Sequence, residues 1–201
     1  MQAVQLPASP VPALHTLELV EPEHESLLQA FFEANPAYFR SVNGEPPAPD
    51  EAHHEIHDQP PAGWPFTKKW LIGYADGNGT LVAMANVISD LLAAGVWHIG
   101  LFIVATTRHG NGEAKVLLQG LQDWAGANGA GWLRLGVVQG NARAERFWES
   151  AGYVEARTRE GIPMGKLSHT VRVMVKPLAG GSMEEYLTLV PRDRPEPASA
   201  P

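Results

Sequence analysis

Two spacings of apolar positions alternate through the middle of the chain. The runs "KKWLIGYA" (68–75), "TLVAMANVI" (80–88), "VWHIGLFIV" (96–104) and "WLRLGVV" (132–138) are short, apolar and rich in β-branched and aromatic residues, so each reads as a strand. "DGNG" (76–79) separates the first two and is a strong hairpin signal. Residues 113–128 change period: Ala114, Leu117, Leu118, Leu121, Trp124 and Ala125 fall three and four apart, as on the buried face of a helix. "AGANGAG" (125–131) ends that helix, since glycine and asparagine accept a left-handed turn. "NARAERFWESAG" (141–152) reads as a shorter helix with Asn141 as its N-cap and Gly152 past its end. "YVEART" (153–158) and "TVRVMVK" (170–176) read as two more strands. Upstream, "TLELV" (16–20) reads as a strand, and "EHESLLQAFFEAN" and "DEAHHEIH" (50–57) read as helices.

The predicted order is β-α-α-β-β-β-α-β-α-β-β. The helix at 113–128 joins two strands by a crossover of more than a dozen residues, as a parallel pair requires, whereas the strands upstream form hairpins. The expected fold class is therefore α/β with a mixed sheet, not a uniform βαβ repeat. Proline marks the limits of that core: all 17 prolines lie in residues 1–65 or 163–201. Proline removes a backbone donor and breaks helices and central strands, so the continuous regular structure belongs in 66–162. The expected organisation is an N-terminal tail over 1–14, one domain over 15–177, and a C-terminal extension over 178–201. The last ten or so residues of that extension, "PRDRPEPASAP", have a disordered composition.

Composition narrows the function classes. At 201 residues the chain can bury one sizeable core. It has no cysteine, which excludes disulfides and thiolate metal sites and fits a reducing compartment. A net charge of −7 argues against a nucleic-acid partner and is compatible with a cationic amine substrate. The N-terminus lacks a charged, apolar leader, and no apolar run reaches the ~20 residues of a membrane span. The expectation is a soluble cytoplasmic protein with no membrane partner.

The stretch "GLFIVATTRHGNGEAKVLL" (100–118) carries the chemistry. A buried strand runs into a basic turn with glycines at Gly110 and Gly112, then into a helix. The first N–H groups of a helix lack internal partners, and glycine lets the backbone close on an anion, so this is the pattern of a phosphate site. A Walker A loop is absent, and the Rossmann fingerprint fails because Lys115 stands at its third glycine. "HGNGEA" (109–114) instead resembles the [Q/R]-x-x-G-x-[G/A] pyrophosphate loop of the GNAT acetyltransferase superfamily, with Gly112 and Ala114 at the small positions and His109, beside Arg108, where Gln or Arg is usual. "VVQGNARAERFWESAGYVEA" resembles that superfamily's second signature, with Asn141, Ala144, Phe147, Gly152 and Tyr153 in register. The element order is also that of the GNAT fold.

The resemblance implies an acetyl-CoA-dependent N-acetyltransferase. It would move an acetyl group to a primary amine of a small molecule or peptide by direct attack on the thioester. The cofactor arm would lie between two splayed parallel strands, along the backbone of Phe102, Ile103 and Val104. The pyrophosphate would sit on Arg108, His109, Gly110, Asn111, Gly112, Glu113, Ala114 and Lys115. Asn141, Arg143, Phe147 and Trp148 would face it from the second signature. At the family's offset before the loop, His98 would be the general base, and histidine needs little tuning for that work. Asp90 and Glu155 are weaker candidates. Trp148 replaces the tyrosine that usually protonates the thiolate, and an indole N–H donates but is no acid. The alternative is a non-catalytic acyl-CoA sensor or scaffold with the same fold. Dimers are common in the family, so a homodimer is one expected assembly. In "DEAHHEIHD" (50–58), His53 and His57 have metal-ligand spacing, but a solvated polar helix face is the favoured reading and no metal is expected. That segment lies over the acceptor pocket in the family, which brings Tyr38, Asp50 and Glu55, together with Asp90, forward as candidate substrate contacts. "SMEEYLTLVPRD" (182–193) is expected either to wrap the domain or to meet a partner subunit.

Overall fold

A computed structural model describes residues 4–195. Its order is β1 (His15–Glu18), α1 (Glu25–Ala34), α2 (Ala37–Asn43), α3 (Glu51–His57), β2 (Lys68–Ala75), β3 (Leu81–Ser89), β4 (Val96–Val104), α4 (Glu113–Ala127), β5 (Trp132–Val138), α5 (Ala142–Ser150), β6 (Val154–Met164), β7 (Leu167–Pro177) and α6 (Met183–Leu189), with 3-10 turns at Thr106–Arg108 and Pro191–Asp193. The strands make one mixed sheet of seven in the order β1-β2-β3-β4-β5-β7-β6. All pairs are antiparallel except β4 with β5, which the crossover helix α4 joins. The expected α/β class with a mixed sheet therefore stands.

Two helices depart from the predicted order. The α2 sequence "AYFRSVN" is short and rich in β-leaning residues, and its helix rests on tertiary packing of Phe39 and Val42 rather than on propensity. The α6 helix opens on a capping box, in which Ser182 accepts from the Glu185 amide and the Glu185 carboxylate accepts from the Ser182 amide. β6 runs through Pro163, beyond the expected proline limit. It is the outer strand of the sheet, where a missing donor is tolerated.

Both faces of the sheet are covered. On one side α4 and α5 pack on Trp70, Ile72, Ala85, Trp97 and Ile99, and the rings of Trp70 and Trp97 stack at 5.2 Å with Trp124 of α4 edge-on. On the other side α1, α2 and α3 pack on Leu71, Met84, Leu101 and Ile103. A third cluster gathers Val96, Trp132, Val175, Tyr186 and Val190 beneath α6.

The ends are better anchored than their compositions suggest. The described part of 1–14 packs on α4: the Trp124 Nε1–H donates to the Gln5 carbonyl at 2.7 Å, and a Cβ at Gly120 would stand 2.9 Å from Pro10. In the expected disordered stretch, residues 191–193 form a turn with Asp193 fully buried, a correction whose physical reason is an ion pair. Arg134 Nε and Nη2 donate to the Asp193 carboxylate at 2.7 and 3.1 Å, and the Tyr186 hydroxyl donates to it at 2.7 Å. The C-terminal extension thus wraps its own domain. The last six residues of the tail lie outside the described residues. Among the described residues no helix is long and apolar enough to cross a membrane.

Candidate active site

The parallel pair opens. β4 and β5 are in register only from Val96 opposite Trp132 to Ile99 opposite Leu135. Beyond that, β4 is held by β3 alone and Gly136, Val137 and Val138 of β5 by β7 alone. The parting begins at Gly100, which the β3–β4 register skips as it passes from Val87 opposite Ile99 to Asn86 opposite Leu101. Such a bulge bends its strand and increases the local twist. Two strand edges are thereby left facing each other with ladder groups that an extended ligand can use.

The glycine turn stands at the open end. Gly112 is the N-cap of α4 at φ +83°, Gly110 has φ +91°, and a Cβ at either would meet nothing within 4 Å. The turn therefore presents open backbone at the start of a 15-residue helix, where amide dipoles favour an anion. The side chains expected to supply positive charge have local partners. Arg108 Nη1 donates to both oxygens of Glu113 at 3.0 Å, and the His109 ring meets the Val104 carbonyl at 2.8 Å. Asn111 accepts from the Glu113 amide. Lys115 is exposed and carries the remaining charge. Across the gap, Asn141 caps α5 by accepting from the Ala144 amide at 3.3 Å, and its Nδ2 donates to Ser41 of α2 at 3.4 Å. Phe147 stacks on Phe102 at 6.1 Å, and buried Trp148 packs against Phe102 and Tyr153, while Arg143 is exposed.

His98 does not have the environment of a base. It is paired with Arg134 across β4 and β5, and Arg134 Nη1 lies 3.3 Å from its Nδ1. A guanidinium only donates, so Nδ1 accepts and the ring proton sits on Nε2, leaving no free lone pair. Burial, then the Arg134 charge, push the imidazole down to about 3. Three carboxylates expected near the chemistry are engaged elsewhere. Asp90 closes a turn, accepting from the Gly95 amide and the Thr67 hydroxyl, each at 2.7 Å. Glu155 is bound by Arg172 at 2.6 Å and by Thr158, which hold it below the usual carboxylate range. Asp50 is exposed and pairs with His54 at 3.3 Å.

Glu55 is the carboxylate that the fold brings to the bulge. It is half-buried on α3, and Asn86 Nδ2 donates to its Oε1 at 2.6 Å. Asn86 is the residue opposite the bulge: a Cβ on Gly100 would lie 3.3 Å from Asn86 Cγ, and the buried Asn86 Oδ1 has no hydrogen-bond partner among the described residues. Both ends of α3 are fixed. Gln29 of α1 accepts from the Ala52 amide and donates to the Ala48 carbonyl, while Lys69 Nζ donates to the carbonyls of Glu55, Ile56 and Asp58. Burial pushes the Glu55 carboxyl up against the opposing pull of Asn86 and Lys69, and burial with the Glu55 charge pushes the Tyr38 phenol up. Tyr38 and Glu55 thus stand close enough for the carboxylate to act on the phenol, which their separation in sequence hides.

Known proteins share the fold. The family model for the Acetyltransferase (GNAT) family matches residues 25–153. Among solved structures, the chain is similar to spermidine N-acetyltransferase from Vibrio cholerae in complex with CoA and spermine, with a TM-score of 0.63 and 18% identity over 84% of this chain and 98% of that one. It is similar to ribosomal-protein-S18-alanine N-acetyltransferase from Escherichia coli, with a TM-score of 0.59 and 16% identity over 84% and 96%. A GCN5-related N-acetyltransferase from Kribbella flavida gives a TM-score of 0.59 and 23% identity over 82% and 98%. Among curated proteins, no sequence matches the chain.

Proposed function

Because the chain belongs to the GNAT acetyltransferase family, we propose that it is an acetyl-CoA-dependent N-acetyltransferase acting on a primary amine of a small molecule or peptide. The observation that carries this reading is the opening between β4 and β5, with the glycine-capped start of α4 at its end. The residues present fit the cofactor. An extended arm can use the β4 backbone at Phe102–Val104, and its pyrophosphate can use the amides of Gly110, Asn111, Gly112 and Ala114 with the Lys115 charge beside them. Phe102 stacked on Phe147, with Trp148 tilted against Phe102 and edge-on to Phe147, gives the opening an apolar wall. When bound, acetyl-CoA would supply an acetyl thioester whose C–S bond is exchanged for a C–N bond to the amine, the sulfur keeping the electron pair and water exchanging the proton.

The protein's part is to position the amine. Glu55 and Asn86 stand at the bulge on the face covered by α1–α3, and both offer acceptor oxygens to an N–H donor. An N–H from the acceptor would also relieve the buried, unpartnered Asn86 oxygen. Trp148 shapes the wall and donates no proton to the departing sulfur. His98 orients Arg134 and is no base.

The test is thioester consumption with a panel of polyamines, amino acids and peptides bearing free N-termini. Turnover of at least one amine is expected. Glu55→Gln should lower kcat/KM for that amine by roughly 10- to 100-fold, the worth of a hydrogen bond to a charged group, with the affinity for coenzyme A unchanged. Tight coenzyme A binding with no amine turned over would place the chain among acyl-CoA sensors. His98→Gln supplies a separate check. Its pH–rate profile between about pH 6 and 8 should superimpose on that of the wild type, because the native imidazole stays neutral throughout. Loss of a limb in that variant would return His98 to the role of base.

A further inference from the structure

Glu21, Glu25, His53 and His57 bring one potential ligand atom each to a common point, all four within 4.8 Å of one another. They come from two elements the fold holds together: Glu25 begins α1, Glu21 lies just before it, and the two histidines are one turn apart on α3. His57 Nε2 is 2.7 Å from Glu21 Oε2, His53 Nδ1 is 3.3 Å from Glu25 Oε2, and the imidazole rings are 4.3 Å apart. A tetrahedral zinc ion with ligands at ~2.0–2.2 Å sets its ligand atoms ~3.3–3.6 Å apart. The observed spacings bracket that value, so small rotations of surface side chains suffice to close on an ion.

We propose that Glu21, Glu25, His53 and His57 form a binding site for zinc or a similar first-row divalent cation. Two imidazole nitrogens with two carboxylates suit zinc, whereas magnesium and calcium take oxygen donors and have little use for the histidines. Four protein ligands close the coordination shell, so the site is structural: it ties the start of α1 to one face of α3, from His53 to its last residue, His57. That tie complements the Gln29 and Lys69 bonds that already fix α3. His54 points away, to Asp50 and Asp58, and takes no part.

The experiment is calorimetric titration of the metal-stripped full chain with zinc chloride. One ion per chain is expected, with saturation in the low-micromolar range or below. His53→Ala or His57→Ala should weaken binding by at least about 100-fold, and Glu21→Gln or Glu25→Gln by at least about tenfold. His54→Ala, on the same helix, should bind like the wild type, and magnesium chloride should give no saturable heat. Zinc should raise the melting temperature of the wild type and not that of the His53→Ala/His57→Ala double variant. The proposal is overturned if zinc does not saturate the chain by about 1 mM, or if magnesium binds equally well. It is also overturned if His54→Ala is as harmful as His57→Ala. Unchanged affinity in both glutamine variants would reduce the site to a two-histidine chelate and remove it as a four-ligand centre.

Discussion

Asp193→Asn should unfold at a temperature on the order of 10 °C below the wild type, a loss of about 3–5 kcal/mol. The Asp193 carboxylate is fully buried, and it is the counter-charge of Arg134, itself buried between β5 and the C-terminal turn. It accepts two bonds from Arg134, one from the Tyr186 hydroxyl at 2.7 Å, and one from Arg159 at 3.2 Å. An amide has the same shape but no charge, so the variant leaves a guanidinium in the interior with its desolvation uncompensated. Replacing both partners, as in Arg134→Met with Asp193→Leu, should recover most of the lost stability, because the expense lies in the orphaned charge rather than in the absent bond. The pH dependence has a definite sign. Burial acts to raise the Asp193 pKa, but the bonds and charge of Arg134 outweigh it and hold the group at about 2, below the ordinary 3.8. A folded-state pKa below the unfolded one gives stability that is present in full above the unfolded value and lost as pH falls through the folded one. Wild type should therefore lose part of its stability between about pH 4 and 2, and Asp193→Asn should lack that component. Thermal melts of the three proteins across this range read both effects. A melting temperature for Asp193→Asn within about 2 °C of the wild type would show that the C-terminal turn is not what neutralises Arg134.

The same residue marks where sequence reading stopped. The strands at 68–75, 96–104 and 132–138 were legible because each is a short apolar run, rich in β-branched and aromatic residues and bounded by turn residues, a pattern that identifies a strand. The helix at 113–127 was legible for the same reason, its apolar stripe facing the sheet. "PRDRPEPASAP" was not, because composition records the prolines and charges of a tail and is silent on the one carboxylate that meets a buried arginine 59 residues away. A signal for α6 was present in Ser182 and Glu185, the spacing of a capping box. The site divides likewise. The glycine loop and the Asn141 signature are local motifs, so the sequence alone brings their residues forward as candidates. The surroundings of His98, Glu55 and Tyr38 are set by pairing across the sheet and by packing of α2 and α3, and none of that is local. His98 looked suitable because histidine titrates near neutrality by default. Arg134, opposite it on β5, removes that default. The sequence offers Glu55 only through the resemblance, as one of several candidate contacts over the acceptor pocket, and Asn86, the residue that fixes it, stands 31 positions away on a strand that otherwise reads as pure core.

A negative charge at the cap of α4 separates cofactor binding from folding. In Gly112→Asp, a KM for acetyl-CoA raised by roughly 30- to 150-fold is the expected result, with kcat at saturating cofactor changed little. Two effects act together. At φ +83° a side chain costs about 1 kcal/mol of backbone strain, tempered because aspartate tolerates the left-handed region better than most residues. A carboxylate about 5–6 Å from a pyrophosphate adds about 2–3 kcal/mol of repulsion at the effective dielectric of a protein surface. The strain acts on stability, whereas the repulsion acts only when the anion is bound. No atom stands within 4 Å of a Cβ at Gly112, so the variant should fold and melt within a few degrees of the wild type. Salt should narrow the gap between the two proteins, since screening weakens an exposed repulsion. Gly112→Ala isolates the backbone part, and its KM should rise by no more than about tenfold. Equal KM values for wild type and Gly112→Asp at low salt would mean that the pyrophosphate lies away from the start of α4, and the placement of the cofactor along the opened strands would fail with it.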